Sequence, residues 1–215
     1  MRILTTLLLV VLLEFNTRAQ IPFEVMAGNE KASLDMMFFR YFKNKDGNSP
    51  WLFFNRNRVV ADYRMTKTSN LPSFGFTGAI SYNHPKLKGL APVAVGQVFS
   101  NRTLGKAGLQ YARMSENYHL FTWWVVELDQ SPDIDWFVLA RYTPLISGEL
   151  RFFSQFEVLA TLNTEIRNTL TSTQRIRLGI KKSSLALGLA GDFQAITKSN
   201  YPAASNTGVF LRYEF

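Results

Sequence analysis

The tightest constraint comes from the end of the chain. Val209, Leu211, Tyr213 and Phe215 alternate with Phe210, Arg212 and Glu214, so an extended strand here has one apolar face and one mostly polar face. The alternation runs to an aromatic final residue, whereas the ends of most soluble domains fray. A strand that ends on a bulky apolar side chain needs an apolar surrounding to receive it.

The same rhythm repeats upstream from about Phe23, in segments of roughly ten residues separated by turn residues, with no convincing amphipathic helix. Phe23–Ala27 is a weak first strand and Leu34–Lys43 a strong one, and 43–50 reads as a loop. In Trp51–Arg64, Phe53, Asn55, Asn57, Val59, Ala61 and Tyr63 share one face, while Arg56, Arg58, Val60, Asp62 and Arg64 share the other. Ser73–Tyr82 sets Phe74, Phe76, Ile80 and Tyr82 against Ser73, Gly75, Thr77, Ala79 and Ser81. Leu90–Phe99 is apolar on both faces, with Pro92 near its start, where a barrel strand tolerates it. Leu104–Met114 sets Lys106, Gly108 and Gln110 against Leu109 and Tyr111, and Tyr118–Leu128 is the most apolar segment. Ile134–Tyr142, Leu150–Val158, Gln174–Lys181 and Leu185–Phe193 alternate again, with long loops expected over 163–173 and 196–206.

The closing segment, ending in Phe215 with Tyr213 two residues earlier, resembles the C-terminal strand of Gram-negative single-chain outer-membrane β-barrel proteins. The resemblance implies an all-β fold: a closed antiparallel up-and-down transmembrane barrel of about 12 strands, with 10 as the alternative. It also implies residence in the bacterial outer membrane, contact with outer-membrane lipid, and recognition of the C-terminal strand by the barrel-assembly machinery. Such barrels have even strand numbers and short periplasmic turns. Counting back from Phe215 places 163–173 and 196–206 outside and 115–117, 143–148 and 181–184 in the periplasm. Trp51, Tyr63, Tyr82, Tyr118, Trp136, Tyr142, Tyr213 and Phe215 lie near strand ends, as interfacial aromatic girdles require. A soluble β-sandwich or lipocalin-like barrel would bury its aromatics in a core. Here the faces opposite the aromatics carry Arg and Asp instead.

The other end fits export. Met1 and Arg2 precede an apolar run over 3–13, with small residues at Thr17 and Ala19. This reads as a signal peptide cleaved after Ala19, leaving 20–215 as one barrel domain. The run is shorter than the roughly 18 residues of a membrane-spanning helix. Charged residues make up 19% and aromatics 14%, with 18 Phe and no Cys. That charge content lies below the usual ~25%, as expected when half of each strand meets lipid. The absence of Cys removes disulfides and thiolate metal sites.

The net charge of +8 is scattered along alternating strands, which, together with export, argues against nucleic acid as a partner. The polar faces are expected to place Arg56, Arg58, Asp62, Arg64, Asp135, Arg141, Arg151, Glu157, Arg175, Arg177, Asp192, Arg212 and Glu214 in the lumen. There they would form ion pairs with one another, leaving surplus guanidinium groups for an anionic solute. Small inward faces at 73–81 and 186–190 suggest water-filled space. No cofactor or metal site is expected. Neither His84 nor His119 has a Ser two residues away, and Ser115 lies four from His119, so lipid hydrolysis by a Ser–His pair is the least supported activity. Two stronger readings remain. One is a narrow channel or solute-uptake barrel, not an enzyme, with an Arg-lined lumen. The other is a non-conducting barrel acting as a membrane-embedded subunit or docking partner, with Tyr118–Leu128 as a protein-contact strand.

Overall fold

The computed structural model describes residues 21–44, 47–63, 73–129, 132–164, 169–197 and 204–215. The proposed signal peptide and Arg64 lie outside them. The strands are β1 (Pro22–Gly28), β2 (Lys31–Asn44), β3 (Gly47–Asp62), β4 (Ser73–Tyr82), β5 (Leu90–Phe99), β6 (Thr103–Met114), β7 (Tyr118–Glu127), β8 (Ile134–Tyr142), β9 (Leu145–Ser147), β10 (Leu150–Asn163), β11 (Thr169–Lys182), β12 (Leu185–Ile196) and β13 (Ala204–Glu214). Successive strands pair antiparallel, β8 pairs with β10, and β13 returns to β1. Twelve strands thus close a ring, and the short β9 pairs with β10 beyond the end of β8.

Closure leaves no free edge among the barrel strands. The terminal strand meets the weak first strand in register from Pro22↔Glu214 to Gly28↔Gly208. At the far end of this seam Asn206 acts as a clasp. Its Oδ1 accepts from the amides of Glu30 and Lys31, and its Nδ2 donates to the Lys31 carbonyl. The Asn206 side chain occupies the space over Gly28, where a Cβ would stand only 2.2 Å from its Oδ1. A side chain at Gly28 would therefore displace the Asn206 clasp.

Two expectations about loops need correction. The segment 43–50 is not an open loop: β2 and β3 pair through Lys43↔Asn48 and Asn44↔Gly47. Likewise 169–173 belongs to β11 and pairs with β10 out to Asn163↔Thr169. Both stretches are polar, so they lack the apolar face that betrays a strand in lipid. They continue ladders of 14 to 16 residues, longer than the roughly 9–11 residues that cross a bilayer. The β2–β3 hairpin therefore projects at the end carrying both termini, and β10–β11 at the opposite end.

Outward faces are apolar around the ring: Phe23, Val25, Phe74, Ile80, Leu109, Trp124, Leu178, Leu187, Leu189, Val209 and Leu211 are all exposed. In water such a belt would be untenable; in lipid it is the expected exterior. Aromatic residues gather at the termini-bearing rim, including Trp51 beside Tyr82 (ring centroids 5.0 Å) and Tyr213 beside Phe215 (4.8 Å). Tyr118 pairs with Tyr142 at the same rim. Trp136 and Tyr63 lie toward the other end, and Trp136 is joined there by Trp124.

Candidate functional site

The interior divides into two halves of unlike chemistry. Across β3 to β8 the inward positions are mostly apolar, because the inward face there is written in Phe, Trp, Val and Leu. Phe54 stacks on Phe121 (5.3 Å) and meets Trp123 edge-on (5.3 Å), and Phe137 lies 5.3 Å from Trp123. Met37, Val93, Val95, Val125 and Leu139 complete this cluster. The double apolarity of Tyr118–Leu128 is thereby explained within the barrel: Phe121, Trp123 and Val125 pack inside while Trp124 and Val126 face out.

Across β10 to β13 and β1 to β3 the inward positions are ionic. Arg56 donates to Asp35 (3.1 Å from Nε) and Glu157 (2.7 Å), and Arg58 donates to Asp192 (2.5 Å). Arg175 donates to Glu157 (3.3 Å), and Arg177 donates to Glu24 and Asp192 (both 2.8 Å). Glu214 accepts from Arg212 (3.1 Å) and from Lys181. Arg141 donates to the neutral Gln155 (2.8 Å), and Phe153 lies between the guanidinium groups of Arg141 and Arg212 (5.8 and 5.7 Å). Phe153 also joins Met26, Phe210, Ala186 and Ala190 in a small apolar cluster. The small face at 186–190 is consequently filled rather than open: Ala186 and Ala190 pack with Phe153 of β10 and Phe210 of β13, and Gly188 lies against the backbone of β11.

A second ionic group lies on the apolar side. Lys106 donates to Asp135 (2.6 Å), whose other oxygen accepts from Thr161 (2.7 Å), and Glu127 stands 3.9 Å from Lys106. Arg151 sits at the termini-bearing rim, donating to Glu116 and Asn117 (both 2.6 Å). Asp62 lies at the opposite rim, 3.9 Å from Lys31.

Glu24, Asp35 and Glu127 are inward charges that the sequence reading did not place, while Lys106 and Lys181, already on the polar faces of their segments, join the lumen as well. The alternation that identified Arg175 and Arg177 applies equally to Asp35, which sits between outward Leu34 and Met36. Glu24 was hidden because its short strand reads weakly on its own, and gains its place by pairing with both neighbours. Ser115 donates to the Tyr118 carbonyl (3.1 Å) and so is engaged in its turn.

Open space lies mainly toward the two ends. A cavity of about 260 Å³ lies above the waist, away from the termini, between the two halves. One wall is Arg56, Arg58 and Arg175; the facing wall is Phe99, Trp123 and Phe137. The small inward face at 73–77 borders it, as expected from sequence. A neighbouring cavity of about 150 Å³ is lined by Lys31, Arg58, Arg175, Asp192 and Asn206. At the waist, Met26, Phe121, Leu139, Phe153, Glu157, Arg177 and Arg212 are almost wholly buried.

No model of a known protein family matches the sequence, and no curated protein matches it. Solved structures do match in fold. One is the KdgM porin in complex with disordered oligogalacturonate, with a TM-score of 0.52, 10% identity, and coverage of 91% of this chain and 99% of that one. Another is the NanC porin, with a TM-score of 0.51, 6% identity and coverage of 92% and 99%. At such identities the likeness is one of fold. The fold is that of the transmembrane β-barrels of the bacterial outer membrane.

Proposed function

We propose that the chain is a porin-like uptake barrel of the outer membrane that admits small anionic solutes through an Arg-bearing lumen. The observation that carries this reading is the cavity above the waist, whose charged lining residues among those described, Arg56, Arg58 and Arg175, are all cationic. An anion drawn to that wall meets guanidinium groups already oriented by their ion pairs, which favours charge-assisted hydrogen bonds. The ion pairs behind the wall hold the arginines in place. They also close the waist, so passage requires exchange of carboxylate partners for the solute's own charge. The fold shared with the KdgM and NanC porins supports an uptake role.

Reconstitution into planar bilayers tests the proposal. Discrete conductance steps with anion preference are expected, and Arg175→Gln should reduce that preference severalfold; absence of steps in the wild-type protein would refute it. The packed waist favours a second reading, a non-conducting barrel that serves as a subunit of a larger assembly. Native-mass analysis after mild extraction decides that case, since a lone monomer excludes a stable complex. For assembly, we propose that the machinery that inserts barrels reads β13. Deleting Phe215 should lower the inserted fraction at least severalfold, measured as the heat-modifiable band in outer-membrane fractions.

A further inference from the structure

We infer that the cavity above the waist is a binding subsite for a small aromatic carboxylate, one ring bearing one anionic group. The inference rests on the proposed reading only in requiring that solute reach the lumen from the end opposite the termini. Three features of the cavity define the occupant. Its cationic wall holds Arg56, Arg58 and Arg175, and among the described residues no acidic side chain lines it.

The opposite wall sets what must accompany the charge. Phe54, Phe99, Trp123, Phe137 and Leu159 present rings and a branched alkyl group. Gln97, the amide on this wall, already donates to Thr77 at 3.4 Å. A polyhydroxylated ring would leave most of its hydroxyls facing carbon, at a cost for every group stripped of water. An aromatic ring would instead stack or meet these rings edge-on. The volume, about 260 Å³, lies just under the usual range for ligand pockets of ~300–1,000 Å³, which suits a single ring rather than a chain of residues.

Trp123 also supplies the readout. Trp51, Trp124 and Trp136 are exposed on the lipid side while Trp123 is buried, so a barrel carrying Phe at those three positions reports on Trp123 alone. In detergent solution 4-nitrobenzoate should quench this fluorescence saturably, with benzoate competing at least tenfold better than glucuronate. Arg58→Gln should weaken binding at least tenfold. Because that change also disturbs an ion pair, Gly75→Leu provides a second variant. A Cβ there stands 3.4 Å from the Phe99 ring and directly across the β3–β4 ladder from Arg58, so the added side chain would fill the cavity while leaving every charged group in place, and binding should be lost while heat-modifiability persists. Linear, non-saturating quenching would overturn the inference, as would equal competition by glucuronate or unchanged binding in Gly75→Leu. The measurement requires no conductance. A barrel that conducts anions but fails here retains the uptake reading, whereas saturable binding in a barrel that never conducts removes the uptake reading and leaves the subsite.

Discussion

Phe54 and Arg56 lie two residues apart on the same inward face of β3, yet each belongs to a different interior. Phe54 is held by Phe121, Trp123 and Phe137 across the apolar half. Arg56 is held by Asp35 and Glu157 across the ionic half. Both halves fill space, but they respond differently to change. Rings and branched chains are interchangeable to the extent that volume is kept. Charges removed from water are not, because each depends on its particular partner.

The largest expected effect tests that difference at Glu157, a nearly buried carboxylate that binds both Arg56 and Arg175. Glu157→Ala removes one anion and leaves two guanidinium groups short of a counter-charge. Breaking a buried pair from one side costs about 3–5 kcal/mol. A fall of that size in stability against urea, followed by the heat-modifiable shift, is expected; a loss below about 1 kcal/mol would mean that water reaches these arginines and that the half is not dry.

The division itself was only partly legible in the sequence. Alternation marks a residue as inward or outward, and that sufficed for Arg56, Arg175, Asp192 and Arg212. Alternation does not say what stands across the lumen. Arg56 is bonded to Glu157, 101 residues away, and Arg177 to Glu24, 153 residues away. Such pairings follow from barrel closure and strand stagger, which no local pattern encodes. The aromatic half was visible as Leu90–Phe99 and Tyr118–Leu128, segments apolar on both faces. Periodicity alone left open whether the second apolar face met lipid, a partner protein or the barrel's own core. Closure decides it, because β3, β5, β7 and β8 bring Phe54, Val95, Trp123 and Phe137 together. The strand extensions at 43–50 and 169–173 were illegible for the opposite reason. Outside the bilayer a strand has no obligatory apolar face, and its polar residues read as loop.

A smaller effect is expected on the apolar side. Phe121 has no exposed surface and contacts Phe39, Phe54, Trp123 and Phe137. Phe121→Leu keeps the hydrophobic character and much of the volume, so its cost should be about 1–1.5 kcal/mol, within the range for volume-conserving core exchanges. The same urea titration ranks it against Glu157→Ala. If the two variants ranked in the reverse order, the apolar half would be the rigid one and the ion network the adaptable one.

The smallest effect comes from the same ionic chemistry placed at the rim. Arg151 donates to Glu116 at 2.6 Å, a distance as short as those in the lumen, but the Glu116 side chain is 79% exposed. Water and salt screen that pair, and such exposed pairs contribute at most about 1 kcal/mol. Arg151 also donates to Asn117 and to the Thr143 carbonyl, acceptors near enough to solvent to be rehydrated when the guanidinium is removed. Arg151→Ala should therefore shift the urea midpoint little, and raising the salt concentration should narrow even that shift. Glu157→Ala, by contrast, should keep its full cost in high salt. Equal losses in the two variants would show that connectivity, not burial, separates the rim from the lumen. A several-fold difference that persists in salt would locate the cost in the buried ionic half.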